Sequence, residues 1–213
     1  MHIPDGFVSS PINATTFVIS AGVCAYSLFR AQKELGERQV PLLGVTAAFI
    51  FAAQMLNFPV AGGTSGHFLG AVLAAVLLGP WNACLLMAIV LGIQCLGFAD
   101  GGLTALGTNV FNMGVVGGIL PYFLFTILKK LLPEDRFGFL ASVAVVSWLS
   151  VVLASLACAL ELAASGTSPM RIVVPTMMGV HALIGIGEAL ITTTVIAAVM
   201  TSRKDLIRNF VEV

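Results

Sequence analysis

Seven long apolar runs shape this chain, at positions 10–29, 41–58, 62–79, 81–98, 105–128, 137–163 and 174–200. Each falls within or above the roughly 17–25 residues that a helix needs to cross a hydrocarbon core. No water is available there to hydrogen-bond the backbone, so a run of this kind folds as a helix that satisfies its own N–H and C=O groups. Hydrophobic residues make up 58% of the chain and charged residues 9%, against about one quarter charged in soluble domains. The chain therefore reads as an all-α polytopic membrane protein, a single integral-membrane domain over 1–213.

The run at 62–79 is the weakest, because it holds glycine-rich turns and ends at Gly79-Pro80. Charge decides whether it is counted. Nine of the ten Lys and Arg residues lie in three clusters, Arg30/Lys33/Arg38, Lys129/Lys130/Arg136 and Arg203/Lys204/Arg208, with Arg171 the exception. Seven spans place all three clusters on one side, which the positive-inside rule makes cytoplasmic, whereas six would split them. Seven transmembrane helices are expected, with the amino terminus outside and the carboxyl terminus in the cytoplasm. Gly62, Gly66, Gly70 and Ala74, spaced by four, read as a stripe for close helix packing. Cys24, Cys84, Cys95 and Cys158 lie scattered in apolar surroundings without a CxxC and read as buried thiols.

The chain begins MHIPDG and holds only three histidines, His2, His67 and His181. No Lys or Arg precedes the first apolar run and no small-residue cleavage pattern follows it, so no signal peptide is expected. A bulky His2 also disfavours removal of Met1. A free terminus with histidine second offers a metal its α-amine, the intervening amide nitrogen and imidazole Nδ1, in fused five- and six-membered rings. These three nitrogens lie in one plane, and a further imidazole such as His67 would complete it. Planar nitrogen coordination suits Ni(II) or Cu(II), whereas Zn(II) prefers tetrahedral sites. Pro4 favours an extended Ile3, and Asp5-Gly6 is a turn pair.

Glu188 lies near the middle of the last run, where an ionisable group is costly and a functional candidate. His181 shares its helix face. Two readings stand: a proton path through His181 and Glu188, or a hydrogen-bonded network that braces the helices, the latter preferred. Gln94, Asp100, Asn109, Asn112 and Glu161 belong to the same polar set, and Thr64 and Ser65 are candidate orienting groups for His67. The chain lacks GxxxxGK[ST] and HExxH, has no nucleophile beside a base, and shows no basic face for nucleic acid.

At MHIPDG, GGTSGHFLG, QCLGFADGGLTALGTNVFNMG and HALIGIGE the sequence resembles the CbiM/NikM family. Members are substrate-capture (S) components of energy-coupling-factor transporters for cobalt and nickel in the prokaryotic cell membrane. The resemblance runs along essentially the whole chain. It implies a transport subunit that is not itself an enzyme. Partner subunits would be a transmembrane coupling (T) subunit, two ABC ATPase subunits and a small auxiliary membrane subunit. It implies no cofactor, only a transported Ni(II) or Co(II), with Met1 and His2 as the chelating terminus inserted into the bundle and His67 as fourth ligand. Nickel is favoured because a planar all-nitrogen site suits a d⁸ ion, with cobalt uptake for cobalamin synthesis as the alternative. The other classes weighed are a proton-coupled secondary carrier using His181 and Glu188, and an intramembrane metalloenzyme. No internal repeat supports the carrier, and the ligand set leaves an enzyme no in-plane vacancy. Small residues Ala47, Ala48 and Ala52, with Ala71 and Ala75, are candidates for a docking face presented to the coupling subunit, with internal packing as the equal alternative.

Overall fold

The computed structural model describes residues 1–36 and 39–207. Helices α1 (Ser10–Glu34), α2 (Gln39–Gln54), α3 (Ala71–Leu78) and α4 (Pro80–Phe98) precede α5 (Leu106–Leu131). Helices α6 (Arg136–Ala164) and α7 (Met170–Ser202) follow. Five of them, α1 and α4 to α7, are long and apolar enough to cross a membrane, while α2 is apolar but only 16 residues long. Pro11 and Pro80 sit in the first turns of α1 and α4, where a missing N–H costs nothing. Asp135 caps α6 by accepting from Gly138 N–H at 2.7 Å. Helix α5 widens to π geometry over Phe111–Ile119.

The run at 62–79 departs from the expectation of a continuous helix: only Ala71–Leu78 is helical. Before it, β1 (Phe58–Pro59) pairs antiparallel with β2 (Ser65–Gly66). Gly62 and Gly70 hold φ of +72° and +77°, a left-handed conformation that glycine adopts without strain. They turn the chain; they are not helix-packing positions, although their spacing of four suggested a stripe. All eight residues of α3 are buried, and Gly79-Pro80 then breaks the chain into α4.

Irregular backbone inside an apolar bundle needs polar partners. Long-range bonds to the backbone of segment 59–70 supply them, and they come from α2, α7 and the amino-terminal segment. Ala71 and Ala75, expected on a docking face, are 0% exposed and so unavailable to a partner. Ala48 and Ala52 are exposed on α2, and Ala47 is half-buried.

The amino-terminal segment and the loops 99–104 and 165–169 meet at one end of the bundle: Ser9 N–H donates to Ser165 Oγ at 2.9 Å, and Thr104 N–H to Asp5 Oδ1 at 2.7 Å. Arg30, Lys33, Lys129, Lys130, Arg136, Arg203 and Lys204 lie at helix ends directed away from it. At that far end Arg136 bridges to Ala197 O at 3.2 Å and Thr201 Oγ1 at 3.0 Å. Arg38 and Arg208 lie outside the described residues.

Candidate metal centre

Met1, His2 and Ile3 are 0%, 4% and 0% exposed, so the amino-terminal segment is threaded into the bundle. Pro4 and the Asp5-Gly6 turn, with Gly6 at φ +80°, bend the chain out of it and toward α1. Asn109 of α5 grips Ile3 on both sides. Its Oδ1 accepts from Ile3 N–H at 2.8 Å and its Nδ2 donates to Ile3 O at 3.2 Å. Gly102 N–H donates to the same carbonyl at 2.8 Å. A Cβ on Gly102 would lie 2.3 Å from Asp5 N, so the loop approaches this closely only with glycine there.

The grip delivers the terminus to Ser65. The Met1 amine donates to both Ser65 O and Ser65 Oγ, the latter at 2.8 Å, and His2 N–H donates to Ser65 Oγ at 3.1 Å. Burial pushes the Met1 amine down to about 5 from 8.0, so at neutral pH it is uncharged. Its two hydrogens are then taken by Ser65, and its lone pair is left over for a metal.

The His2 and His67 rings stack with centroids 4.5 Å apart and planes 13° from parallel. His67 Nδ1 is 2.7 Å from Phe68 O. A carbonyl only accepts, so the proton is on Nδ1 and the lone pair on Nε2, which is buried without a partner. His181 repeats the pattern: Nδ1 donates to Met177 O at 2.7 Å and buried Nε2 has no partner. It adjoins His67 and the Ser65 backbone. His2 Nε2 meets Gln94 Oε1 at 3.2 Å. His2 Nδ1 lies 3.2 Å from Asp100 Oδ1, outside hydrogen-bond geometry, while burial pushes the imidazole below its ordinary value. Asp100 Oδ2 is held by Asn57 Nδ2 at 3.0 Å. A cleft of about 700 Å³, lined by His2, Asp5, Asn57, Ser65, Cys95 and Asp100, reaches this face of His2.

Orphaned buried nitrogens beside a neutral amine fit a metal that prefers nitrogen. No group of three His, Cys, Asp or Glu side chains suited to hold an ion occurs among the described residues.

Of the remaining polar residues, Glu188 braces the histidine-bearing segment: its two oxygens accept from Leu69 N–H and Gly70 N–H, each at 2.7 Å. Thr64 sits behind the site, its Oγ1 3.6 Å from Cys158 Sγ. Asn112 is turned away from the terminus and donates to Glu161 Oε2 at 2.5 Å. Sequence reasoning passed over Gln54, although an amide alone in an apolar helix is a signal worth following. Its Nε2 donates to Leu69 O at 2.7 Å, and its Oε1 accepts from Gln94 Nε2 at 3.1 Å.

An apolar helical bundle closing over a pocket of nitrogen donors defines a membrane protein that handles a transition-metal ion. Comparison with known proteins agrees. A family profile described as "Cobalt uptake substrate-specific transmembrane region" matches residues 2–206, and the chain belongs to this CbiM family. It is 40% identical over 211 residues to a protein of Archaeoglobus fulgidus provisionally named a fused nickel transport protein NikMN, covering 98% of this chain and 68% of that one. The fused nickel transport protein NikMN of Rhodobacter capsulatus is 33% identical over 223 residues, covering 97% of this chain and 64% of its own length. A crystal structure described as a truncated transition metal transporter superposes with a TM-score of 0.88 at 32% identity, covering 95% of this chain and 99% of that one. The chain is thus a nickel/cobalt transport component of CbiM/NikM type, carried by several apolar helices.

Proposed function

We propose that this chain is the substrate-capturing subunit of an ATP-driven, energy-coupling-factor nickel uptake transporter, one integral-membrane domain over 1–213. It spans the membrane seven times, with the amino terminus outside and the carboxyl terminus in the cytoplasm. The clustering of cationic residues at the end remote from the amino terminus supports that orientation. The short α3, entered through segment 59–70, counts as the interrupted third span.

Ni(II) is held in one plane by the Met1 amine, the His2 amide nitrogen, His2 Nδ1 and His67 Nε2. The observation that carries this reading is the stacked His2–His67 pair beside a neutral buried amine. Parallel rings cannot aim two lone pairs at one ion, so loading requires one ring to turn. Ser65 Oγ, which accepts from the His2 amide, stands where that proton leaves. Gln94, Asp100 and Asn109 position the terminus, and Thr64, Ser65, His181 and Glu188 back the His67 side. Asn112 supports α5 against α6 through Glu161. Co(II) is the alternative cargo, as the family description names cobalt.

Both oxygens of Glu188 are committed to backbone N–H groups, which favours bracing over proton coupling. Energy is then supplied by partners: a transmembrane coupling subunit, two ABC ATPases and a small auxiliary membrane subunit. The test is nickel accumulation by cells making this chain alone or with those partners. Uptake that needs the partners and their ATPase activity is expected. Uptake by the chain alone, driven by a proton gradient, would establish the carrier instead.

A further inference from the structure

A line of side-chain amides runs from the terminal histidine to the backbone beside His67, and every link has one allowed direction. Glu188 fixes its far end by holding Leu69 N–H and Gly70 N–H, each at 2.7 Å. That orients the Leu69 carbonyl toward Gln54, 2.7 Å away. A carbonyl oxygen can only accept, so Gln54 must present its NH₂, and its Oε1 must face Gln94. Gln94 then presents its own NH₂ to that oxygen at 3.1 Å, which turns its Oε1 onto His2 Nε2 at 3.2 Å. Amide oxygen and nitrogen are told apart by such networks, and here a main-chain acceptor settles both. Gln54 and Gln94 are 0% exposed, so water cannot substitute for a missing link.

We propose that Gln54 and Gln94 are positioning residues that lock His2 in its Nε2–H tautomer, keeping Nδ1 as the lone-pair nitrogen of the terminal chelate. The inference rests on the metal site proposed above and adds to it the device that selects the coordinating nitrogen. The opposite tautomer would set the His2 Nε2 lone pair against Gln94 Oε1. Relieving that clash by flipping Gln94 forces Gln54 to flip, which drives its oxygen onto Leu69 O. One buried carbonyl on the His67 segment thus dictates the protonation pattern of a ring contributed by the other end of the site. Asp100 Oδ1, 3.2 Å from His2 Nδ1 but outside hydrogen-bond geometry, pulls the opposite way, and the relay opposes it. Once Nδ1 binds an ion, Nε2–H becomes a stronger donor, and aligned bonds of this kind polarise one another. Loading at His2 then tightens the grip on the segment that carries His67.

The test assigns histidine tautomers by nitrogen NMR in metal-free, detergent-solubilised protein with labelled histidine, at mildly alkaline pH. His67→Ala and His181→Ala identify the signals. The parent protein should show His2 as Nε2–H, and His67 and His181 as Nδ1–H. In Gln54→Met, His2 should lose its pure Nε2–H state while the other two hold theirs, and Ni(II) affinity should fall roughly tenfold to hundredfold, the scale for loss of a group orienting a ligand. Adding Gln94→Glu to Gln54→Met should restore Nε2–H, because a carboxylate accepts. The proposal is overturned by Nδ1–H at His2 in the parent, or by a pure Nε2–H state that survives Gln54→Met. The parent measurement decides even where Gln54→Met fails to fold. Nickel binding that survives His2→Ala would defeat the metal site alone, leaving the tautomer result to stand separately.

Discussion

His2 and His67 stack face to face, 4.5 Å between ring centroids, although one belongs to the chain terminus and the other to the segment before α3. Each keeps a buried nitrogen without a hydrogen-bond partner. Two such buried nitrogens are costly unless a ligand repays them.

Replacing His67 by alanine removes the nitrogen proposed as the fourth in-plane ligand. Ni(II) retention by the purified protein should fall at least tenfold to hundredfold, the scale seen even for groups that merely orient a ligand. His181→Ala should cost less, since His181 backs the Ser65–His67 side. Equilibrium dialysis of the two variants decides, and the reverse ranking would mean that the ligand assignment is wrong.

The Met1 amine is itself a proposed donor, and it is packed against Ser65 with no room for an added group. Acetylating it, or fusing a tag ahead of it, should abolish nickel binding, whereas a tag at the carboxyl end should not. Normal binding by an amino-terminally tagged protein would sink the terminal chelate.

The pH dependence has a defined sign. The amine titrates near 8.0 when free and near 5 when inserted. Between those values the withdrawn terminus binds a proton that the inserted one does not, so each unit of falling pH disfavours insertion by about 1.4 kcal/mol. Protons also compete directly with the metal. Nickel retention should decline steadily from pH 8.0 toward about 5. A flat profile across that window contradicts a buried amine ligand.

Glu188→Gln keeps the side chain's size but turns an NH₂ toward one of two backbone donors, each 2.7 Å from a carboxylate oxygen in the parent. Leaving one buried N–H without an acceptor should destabilise the fold by about 1–3 kcal/mol, read as a lower thermal midpoint in detergent. Unchanged stability with loss of proton-linked uptake would instead revive the carrier reading.

Ala48 and Ala52 point outward from α2 and leave room for another helix to approach. Leucine at either position should abolish ATP-driven uptake by the full complex while the isolated subunit still binds metal. If the isolated variants lose metal, these alanines serve internal packing.

The class of protein was legible in the sequence alone, because the cost of exposing charge and backbone to lipid writes itself into long apolar runs. Motifs such as MHIPDG and GGTSGHFLG, carried by the terminus and by His67, marked the family. The turn after Pro4 was equally local, set by proline and by a glycine at φ +80°. Segment 62–79 was not legible. When nearly every residue is apolar, periodicity no longer separates a helix from a turn, and a glycine spacing of four fits a packing stripe as well as two left-handed corners. Nor could sequence separate Ala71 and Ala75, buried in the core, from Ala48 and Ala52 on the surface, since all four are small apolar residues in apolar runs. Only the tertiary structure decided where the polar residues point. Asn109 holds Ile3, Glu188 holds Leu69 and Gly70, and Gln54 joins Gln94 to Leu69. These bonds connect residues far apart in the chain, so they leave no local pattern to read. Each exists because a buried backbone group had to find a partner that water would otherwise supply.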